Sequence, residues 1–447
     1  RQLTTSPFVG VLTATILATT PVVFEPATVA SSDLGVAAFG TVAWLVLIEL
    51  RHGRLSARVA APAAGAFAGL AAGCKYLGLA NIVIPVGLLL MVVLWRGERR
   101  TGAVAAGSLA FAIGAAATFG PWAARNWVAT GNPMYPFLSG ILPSPIVDGV
   151  PFTPGLAETS MDFGFTASRL VEVATLGTFT PQGWAGDIGP VYLWLLAPWI
   201  LWQVTIARGR SPSFLVFAGF LVGLGLTAGA WHLGRYLVPI LPLAAAGMSA
   251  AWVELLGRLP RAVRLSLWSL LALVLLGNLN PNRTATVIPQ VFVALDRISE
   301  GELLDRYVTC WPAYRVVNER LPKDARILLV AESRTYGIDR DIVADDPYQD
   351  PLLVDLAERA SDVDELLTEL RRRGITHVLV NRREAVRMAR LNGREGYLRC
   401  SSVEVARRLD EALGRLVSVW SGPMVDIFAV PPGPRMSWNV LSSAVRC

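Results

Sequence analysis

The sequence has few charged residues. Only 17% of its 447 residues are charged, 53% are hydrophobic, and the mean hydropathy is +0.47. Soluble globular proteins carry about 25% charged residues, so the composition excludes an ordinary water-soluble enzyme. It indicates several membrane-spanning helices instead.

Histidine and cysteine are also scarce. The chain has three histidines and four cysteines, and the cysteines show no CxxC spacing. A structural zinc site is therefore not expected. Cys310 and Cys400 both fall in the more polar C-terminal part, where they could pair in an oxidising compartment.

Nucleotide and nucleic-acid signatures are missing as well. The chain contains no GxGxxG or P-loop pattern, so no nucleotide site is expected. The net charge is +6, but the basic residues of the N-terminal part lie in short clusters between apolar runs. Cytoplasmic loops of membrane proteins show this pattern, so nucleic acid is not an expected partner. Of 40 basic residues only Lys75 and Lys323 are lysine, which is typical of a GC-rich bacterial genome.

Long apolar runs are abundant. Each run approaches the roughly 20 residues needed to cross the hydrocarbon core, and together they predict about nine helices in a transmembrane domain over residues 1–280. The runs lie at about 6–24, 33–50, 59–74, 77–95, 102–121, 189–207, 212–230, 236–256 and 265–279. The run at 59–74 is short and rich in alanine and glycine, which indicates either a tilted helix or close packing through small residues.

The arginines predict the orientation of these helices. Clusters at 51–58, 96–100, 208–210 and 258–264 occupy every second loop, and the positive-inside rule places these loops in the cytoplasm. The alternate loops, including the long loop 122–188, then lie outside. This loop is too long for a plain connection, and its segment SRLVEVATL predicts a short surface helix. A flexible tether is the alternative.

Residues 281–447 predict a second, extracytoplasmic domain of the α/β class. Short β-branched runs at 325–331, 376–381, 416–420 and 425–430 alternate with amphipathic helices at about 363–373 and 402–413. This order favours a small parallel sheet. We interpret the domain as a lid or an acceptor-docking unit.

Polar residues at the exterior ends of the spans predict a site. Asp33 is the candidate catalytic carboxylate, and it could instead cap a helix. Lys75, Arg125 and Arg235 are candidate ligands of a phosphate group. Lys75 could also snorkel to lipid headgroups, and Arg125 with Trp122 could anchor the chain at the interface. The predicted rim of the pocket consists of Glu25, Tyr76, Asn126, Asn132, Tyr135, His232 and Tyr236.

Three cations and a carboxylate at one membrane face suit glycosyl transfer from a lipid. Nucleotide-activated sugars are not supplied outside the cytoplasm, so a transferase working there needs a donor carried by a lipid. Cations stabilise the anionic phosphate that leaves, and a carboxylate takes the proton of the acceptor.

Five segments carry a resemblance to a known group of enzymes. In chain order they read SSDLGVAAF, GCKYLGL, PWAARNWVATGNPMYPF, DIGPVYLWLLAPW and HLGRYLVPILPL. They resemble the GT-C superfamily of polyprenyl-phosphate-sugar-dependent glycosyltransferases, which includes protein mannosyltransferases and aminoarabinose transferases. The resemblance covers about residues 1–280, and TGNPMYPF and RYLVPILP are its most specific parts. It implies a polytopic α-helical membrane protein with a C-terminal extracytoplasmic α/β domain.

The resemblance also implies partners and site residues. The donor is a sugar linked to polyprenyl phosphate, and the acceptor is a cell-envelope glycan, lipid or protein. Asp33 matches the second acidic residue of such enzymes, and we expect the principal one upstream of Arg1. Some members use a divalent cation, which the residues neither require nor exclude. A transporter or flippase for a lipid-linked sugar and a non-catalytic assembly subunit are the alternative functions.

Overall fold

The chain divides into two compact units. The computed structural model describes residues 6–27, 31–98, 100–135, 137–138, 141–142, 146–147, 150–151, 188–207, 213–230, 234–279, 288–345, 351–391, 397–398 and 400–432. One unit comprises Arg1–Tyr135 with Ser160–Val291, and the other comprises Pro136–Thr159 with Phe292–Cys447. We call them the membrane unit and the C-terminal unit. The predicted domain boundary at residue 280 lies in the segment 280–287, outside the described residues.

The described part of the membrane unit is built from helices. Its helices are α1 (Pro7–Thr19), α2 (Pro21–Ala27), α3 (Ser32–Arg51), α4 (Ala57–Cys74), α5 (Ile84–Glu98), α6 (Thr101–Thr130), α7 (Pro190–Trp202), α8 (Ser213–Ala230), α9 (Leu241–Gly257) and α10 (Arg261–Asn278). A π-helical turn, Leu79–Val83, leads into α5, and another, Gln203–Ala207, extends α7. A 3₁₀ turn, Gly234–Leu237, precedes α9.

All nine predicted apolar runs coincide with helices. Among the described residues, six helical segments are long and apolar enough to cross a membrane. Pro7–Thr19, Ser213–Leu226 and Leu241–Gly257 are apolar but shorter. The predicted multi-pass helical membrane protein is therefore confirmed, and the number of crossings stays a prediction.

Helix α4 packs on α6 through small residues. A side chain at Gly65 would overlap the backbone of Phe111, and one at Gly114 would overlap the carbonyl of Pro62. Thr118 adds a hydrogen bond of 2.9 Å from its Oγ1 to the carbonyl oxygen of Ala66. The short run at 59–74 thus packs closely on its neighbour, as small residues in membrane helices do.

Helix α6 is the longest described helix. Its 30 residues span roughly 45 Å at the helical rise, more than the ~30 Å hydrocarbon core. It ends at Gly131, where φ of 74° favours glycine and the backbone N–H bonds to the carbonyl of Trp127 at 2.8 Å. The helix thus ends within the TGNPMYPF segment.

The C-terminal unit has an α/β core. Its helices are α11 (Ile288–Ala294, shared with the end of the membrane unit), α12 (Glu300–Tyr307), α13 (Trp311–Arg320), α14 (Leu352–Arg359), α15 (Val363–Arg372), α16 (Arg382–Leu391) and α17 (Val403–Gly414). Its strands are β1 (Ile146–Val147), β2 (Val150–Pro151), β3 (Arg326–Val330), β4 (Asp341–Ala344), β5 (His377–Asn381), β6 (Val417–Ser421) and β7 (Val425–Ala429).

The main sheet has the strand order β4-β3-β5-β7-β6. Alternate residues of β3 reach two apolar cores: Leu328 and Val330 pack with α14, α15 and α17, whereas Ile327 and Leu329 pack with α13. The sheet is therefore covered by helices on both faces, which confirms the predicted α/β class.

One expectation about the C-terminal unit is wrong. The sheet is only partly parallel: β3 pairs in parallel with β4 and β5, but β7 is antiparallel to β5 and β6. The connection between β6 and β7 is too short for a crossover helix, so these strands form a hairpin. The sequence leaves the pairing of Cys310 with Cys400 open. Cys310 is a free thiol in the structure, so it does not pair with Cys400, and burial raises the pKa of this thiol to about 11.

Candidate functional site

Asp33 and Lys75 form the centre of the candidate site in the membrane unit. Asp33 lies in the first turn of α3, and Lys75 follows the last residue of α4. Lys75 Nζ donates a hydrogen bond of 2.7 Å to Asp33 Oδ1, and the two side chains are 27% and 7% exposed. Ser31 is the helix cap and donates from Oγ to Asp33 Oδ2 at 3.2 Å. The carboxylate is thus an ion-pair partner rather than the cap itself.

The ring of Tyr236 lies near Lys75 of this pair and near a second cation, Arg235. Lys75 Nζ lies 4.9 Å from the centroid of the Tyr236 ring, and the guanidinium carbon of Arg235 lies 5.3 Å from the same centroid. Two positive groups therefore share one aromatic ring, whose negative face attracts both. Lys75 contacts Asp33, and Lys75 and Arg235 both lie near the Tyr236 ring; the functional roles of these residues stay predictions.

Asn81 holds Tyr236 in place. It lies in the π-helical turn between Lys75 and α5, is fully buried, and donates from Nδ2 to the carbonyl oxygen of Tyr236 at 2.9 Å. π-helical turns in helical proteins are frequent at functional sites. The sequence analysis missed Asn81, although an amide inside the apolar run 77–95 is itself a signal.

Tyr76 connects the same loop to the end of α6. Its hydroxyl donates to the carbonyl oxygen of Tyr135 at 2.8 Å and accepts hydrogen bonds from Asn126 Nδ2 at 2.7 Å and Trp122 Nε1 at 3.3 Å. Asn132 is fully buried, and its Oδ1 accepts from the backbone N–H of Met134 at 2.9 Å. The predicted rim residues around Tyr76 therefore form one hydrogen-bonded wall.

Arg125 lies at the edge of this wall. Its guanidinium carbon is 5.3 Å from the ring of Trp122, which in turn donates to Tyr76. This contact fits interfacial anchoring by tryptophan and arginine. Its role as a phosphate ligand stays a prediction.

Two predicted rim residues fall outside what the structure describes. His232 lies in the segment 231–233, and the side chain of Glu25 is likewise not described, although α2 contains the residue. The predicted surface helix in the loop 122–188 also lies outside the described residues. Within the described residues, no three His, Cys, Asp or Glu side chains lie together as ligands for a metal ion.

Part of the site lies in a segment that matches the model of a known enzyme family. Residues 1–112 match the model of the family described as dolichyl-phosphate-mannose-protein mannosyltransferase. The match covers about a quarter of the chain. The match includes Asp33, Lys75 and Asn81, and it confirms over these residues the resemblance drawn from the motifs.

Two solved structures resemble the chain at low identity. The crystal structure of ArnT from Cupriavidus metallidurans bound to undecaprenyl phosphate shares 14% identity with a TM-score of 0.48, over 96% of this chain and 80% of ArnT. The cryo-EM structure of the mycobacterial arabinofuranosyltransferase AftD shares 17% identity with a TM-score of 0.37, over 96% of this chain and 31% of AftD. No curated protein matches the sequence.

Proposed function

We propose that the protein is a membrane glycosyltransferase. It transfers a sugar from a polyprenyl-phosphate donor to a hydroxyl group of a cell-envelope glycan, lipid or protein at the extracytoplasmic face. The observation that carries the proposal is the sharing of the Tyr236 ring by Lys75 and Arg235 beside the Asp33 carboxylate. The match of residues 1–112 to a mannosyltransferase family supports it.

The charges of the site suit the phosphate of such a donor. One carboxylate and two cations leave a single net positive charge on Asp33, Lys75 and Arg235 together. A glycosyl phosphodiester carries a single negative charge, so it neutralises the site. The planar guanidinium of Arg235 can bind two phosphate oxygens at once, whereas Lys75 acts as a point charge.

The proposed reaction is a direct displacement. The acceptor oxygen attacks the anomeric carbon, the bond between that carbon and the phosphate oxygen breaks, and polyprenyl phosphate leaves with the electron pair. Lys75 and Arg235 stabilise the charge that develops on the leaving phosphate. Asp33, freed when the phosphate attracts Lys75, takes the proton of the acceptor hydroxyl.

The proposed side of the membrane follows from the helix ends. Asp33 starts α3 and Lys75 follows α4, whereas the arginines at 51–58 lie between those two helices at their opposite ends. Arginine-rich loops are cytoplasmic. The positions of these helix ends support an exterior site, and the arginine pattern of the sequence supports an exterior C-terminal unit.

Transfer by the purified full chain tests the proposal. Proteoliposomes would receive polyprenyl-phosphate mannose or polyprenyl-phosphate arabinose carrying a radiolabelled sugar, with an envelope extract as acceptor. We expect the label to move to the extract and Arg235→Ala to abolish the transfer at low donor concentration. Val128→Ala, at a position 91% exposed on α6, is the control. If the protein moves labelled lipid across the bilayer without releasing polyprenyl phosphate, it is a transporter and the proposal is wrong.

A further inference from the structure

Residues 291–309, all of them described, form a segment in which no residue is buried. It covers the second half of α11, the turn that follows and all of α12. Pro289 and Cys310, on either side of the segment, are buried. Helices as short as the 7 residues of α11 and the 8 residues of α12 are marginal in water without packing. The segment is therefore suited to a surface outside the chain.

The exposed apolar side chains of α11 share one face. Val291 is 48% exposed, Phe292 46%, and Leu295, the residue after the helix, 61%. Leu295 is four residues from Val291 and three from Phe292, so the three side chains are neighbours on a helix surface. Single exposed apolar residues are ordinary, whereas a contiguous apolar patch marks an interaction surface. We call these three side chains the α11 face.

Backbone hydrogen bonds fix the end of α11. The N–H of Arg297 donates to the carbonyl oxygen of Phe292 at 2.8 Å, and the N–H of Asp296 donates to that of Val293 at 2.9 Å. Asp296 has φ of 53°, in the left-handed region, which aspartate adopts more readily than most residues. These bonds and this angle are those of a Schellman motif at a helix C-terminus. The α11 face therefore belongs to a helix with a defined end.

The position of α11 in the chain keeps it close to the membrane. Helix α10 is one of the segments that are long and apolar enough to cross a bilayer. Nine residues, 279–287, connect its end at Asn278 to the beginning of α11. Even a fully extended connection of this length spans only about 36 Å. The α11 face is thus within reach of the membrane surface at which α10 ends.

The charges of the segment 291–309 exclude electrostatic attraction as the cause of membrane binding. The acidic residues are Asp296, Glu300, Glu302 and Asp305, and the basic residues are Arg297 and Arg306. Helices attracted to anionic headgroups are rich in lysine and arginine instead. The same acidic excess disfavours pairing of the segment with a second copy of itself, because like charges repel. The apolar side chains are left as the source of any binding.

We propose that α11 lies in the lipid–water interface of the leaflet on which α10 ends. The side chains of Val291, Phe292 and Leu295 insert below the headgroups, and Asp296 and Arg297 stay in water. Interfacial helices bury their apolar face by about 5–10 Å in this way. In the proposed orientation, this is the exterior leaflet. The inference goes beyond the proposed glycosyl transfer, since it requires neither donor nor reaction.

Photocrosslinking of the full chain in nanodiscs tests the contact. The photoreactive residue p-benzoylphenylalanine would replace Phe292 or Leu295, and the nanodiscs would contain tritiated phosphatidylcholine. The control is the same replacement at Val403, which is 87% exposed at the beginning of α17. We expect at least about fivefold more lipid label at the first two positions, because an interfacial helix holds them among the lipids. Salt at about 1 M, where the Debye length is about 3 Å, should leave this label unchanged.

Hydrogen exchange gives a second measurement without a bulky probe. Phe292→Asp should accelerate exchange of the peptides from 288–309 in nanodiscs about tenfold, because a charged side chain is expelled from the interface. Phe292→Leu, which stays apolar, should exchange like the unchanged chain. The proposal is overturned if Val403 acquires as much lipid label as Phe292, if salt removes the label, or if crosslinked dimers form in place of lipid adducts. Unchanged exchange in Phe292→Asp would overturn it as well.

Discussion

Lys75 and Asp33, 42 residues apart in the chain, form an ion pair of 2.7 Å that joins the end of α4 to the beginning of α3. Because the carboxylate is buried, the ammonium of Lys75 compensates for the hydration that the carboxylate has lost. A phosphate group that binds Lys75 competes with Asp33 for the same ammonium. In the proposed mechanism, Lys75 Nζ thus links the binding of the donor phosphate to the release of the Asp33 carboxylate.

The first prediction concerns the stability of the membrane unit. Lys75→Gln leaves a buried carboxylate without its cation, a change that typically costs about 3 to 5 kcal/mol. We expect a lower melting temperature in detergent micelles, with unfolding monitored by tryptophan fluorescence. The double variant Asp33→Asn/Lys75→Gln should recover most of the loss, because both charges are then absent. Equal melting temperatures for the single variant and the unchanged chain would contradict the structural role of the pair.

The second prediction separates turnover from donor binding. Asp33→Asn removes the proposed base, so the rate of transfer should fall by about 10²- to 10⁴-fold. Donor affinity should stay the same or increase, because Lys75 no longer has a competing carboxylate. Ser31→Ala, which removes the hydrogen bond to the same carboxylate, is the milder comparison. Unchanged turnover of Asp33→Asn with either donor would exclude the assigned role.

The third prediction concerns Asn81. Asn81→Ala leaves the carbonyl oxygen of Tyr236 without this donor, which costs about 1–3 kcal/mol, and it loosens the ring that Lys75 and Arg235 share. We expect the KM for the donor to rise while kcat changes little. Thr118→Val removes another interhelical hydrogen bond, the one to Ala66. It should lower stability without raising the KM, so equal KM values for the two variants would refute a positioning role of Asn81.

The fourth prediction concerns orientation. Ser56→Cys lies between α3 and α4, and Val128→Cys lies on the last turns of α6; both positions are exposed. In intact cells, a membrane-impermeant maleimide should label Val128→Cys more than the unchanged chain, whereas Ser56→Cys should be labelled no more than the unchanged chain, which has its own free Cys74. Labelling after lysis shows that both thiols are reactive. The reverse pattern in intact cells would place the site on the cytoplasmic side.

The fifth prediction concerns pH and the C-terminal unit. Burial raises the pKa of Glu332, but hydrogen bonds from Arg334 outweigh this effect, so its pKa lies below the ordinary value of 4.5. A group whose pKa is lowered by folding stabilises the fold above its unfolded pKa and loses this contribution as the pH falls through its folded pKa. Hydrogen exchange of the β3 and β5 peptides, corrected for its intrinsic pH dependence, should therefore accelerate below about pH 4.5. Glu332→Gln should exchange faster already at neutral pH and depend less on pH.

The residues of the site in the membrane unit could be predicted because polar groups are conspicuous in an apolar chain. Asp33, Lys75 and Arg235 were identified by charge and by position at the ends of apolar runs. Their mutual arrangement could not be predicted, since the ion pair and the shared ring depend on how α3, α4 and the 3₁₀ turn before α9 pack. Asn81 was missed because a single amide does not interrupt a hydrophobic run.

The C-terminal sheet shows a different limit of sequence patterns. β3 and β5 are buried runs of β-branched residues and leucine, which predict strands directly. β4 was missed because the segment around Asp341–Ala344 is charged and the strand is partly exposed at the edge of the sheet. The direction of β6 and β7 follows from the length of the turn between them, which the hydrophobic pattern does not indicate.

The π-helical turn at Leu79–Val83 determines how far α5 is rotated about its axis relative to the polar residues that precede it. Each residue of an α-helix rotates the chain by about 100°, and a π-helical turn contains roughly one residue more than an α-helical one. With one residue fewer, either Asn81 would rotate away from Tyr236 or the buried face of α5, with Val86 and Leu90, would rotate away from the core. The composition and hydropathy of the segment would hardly change. The position of Asn81 relative to the buried face of α5 thus depends on a single residue in this turn.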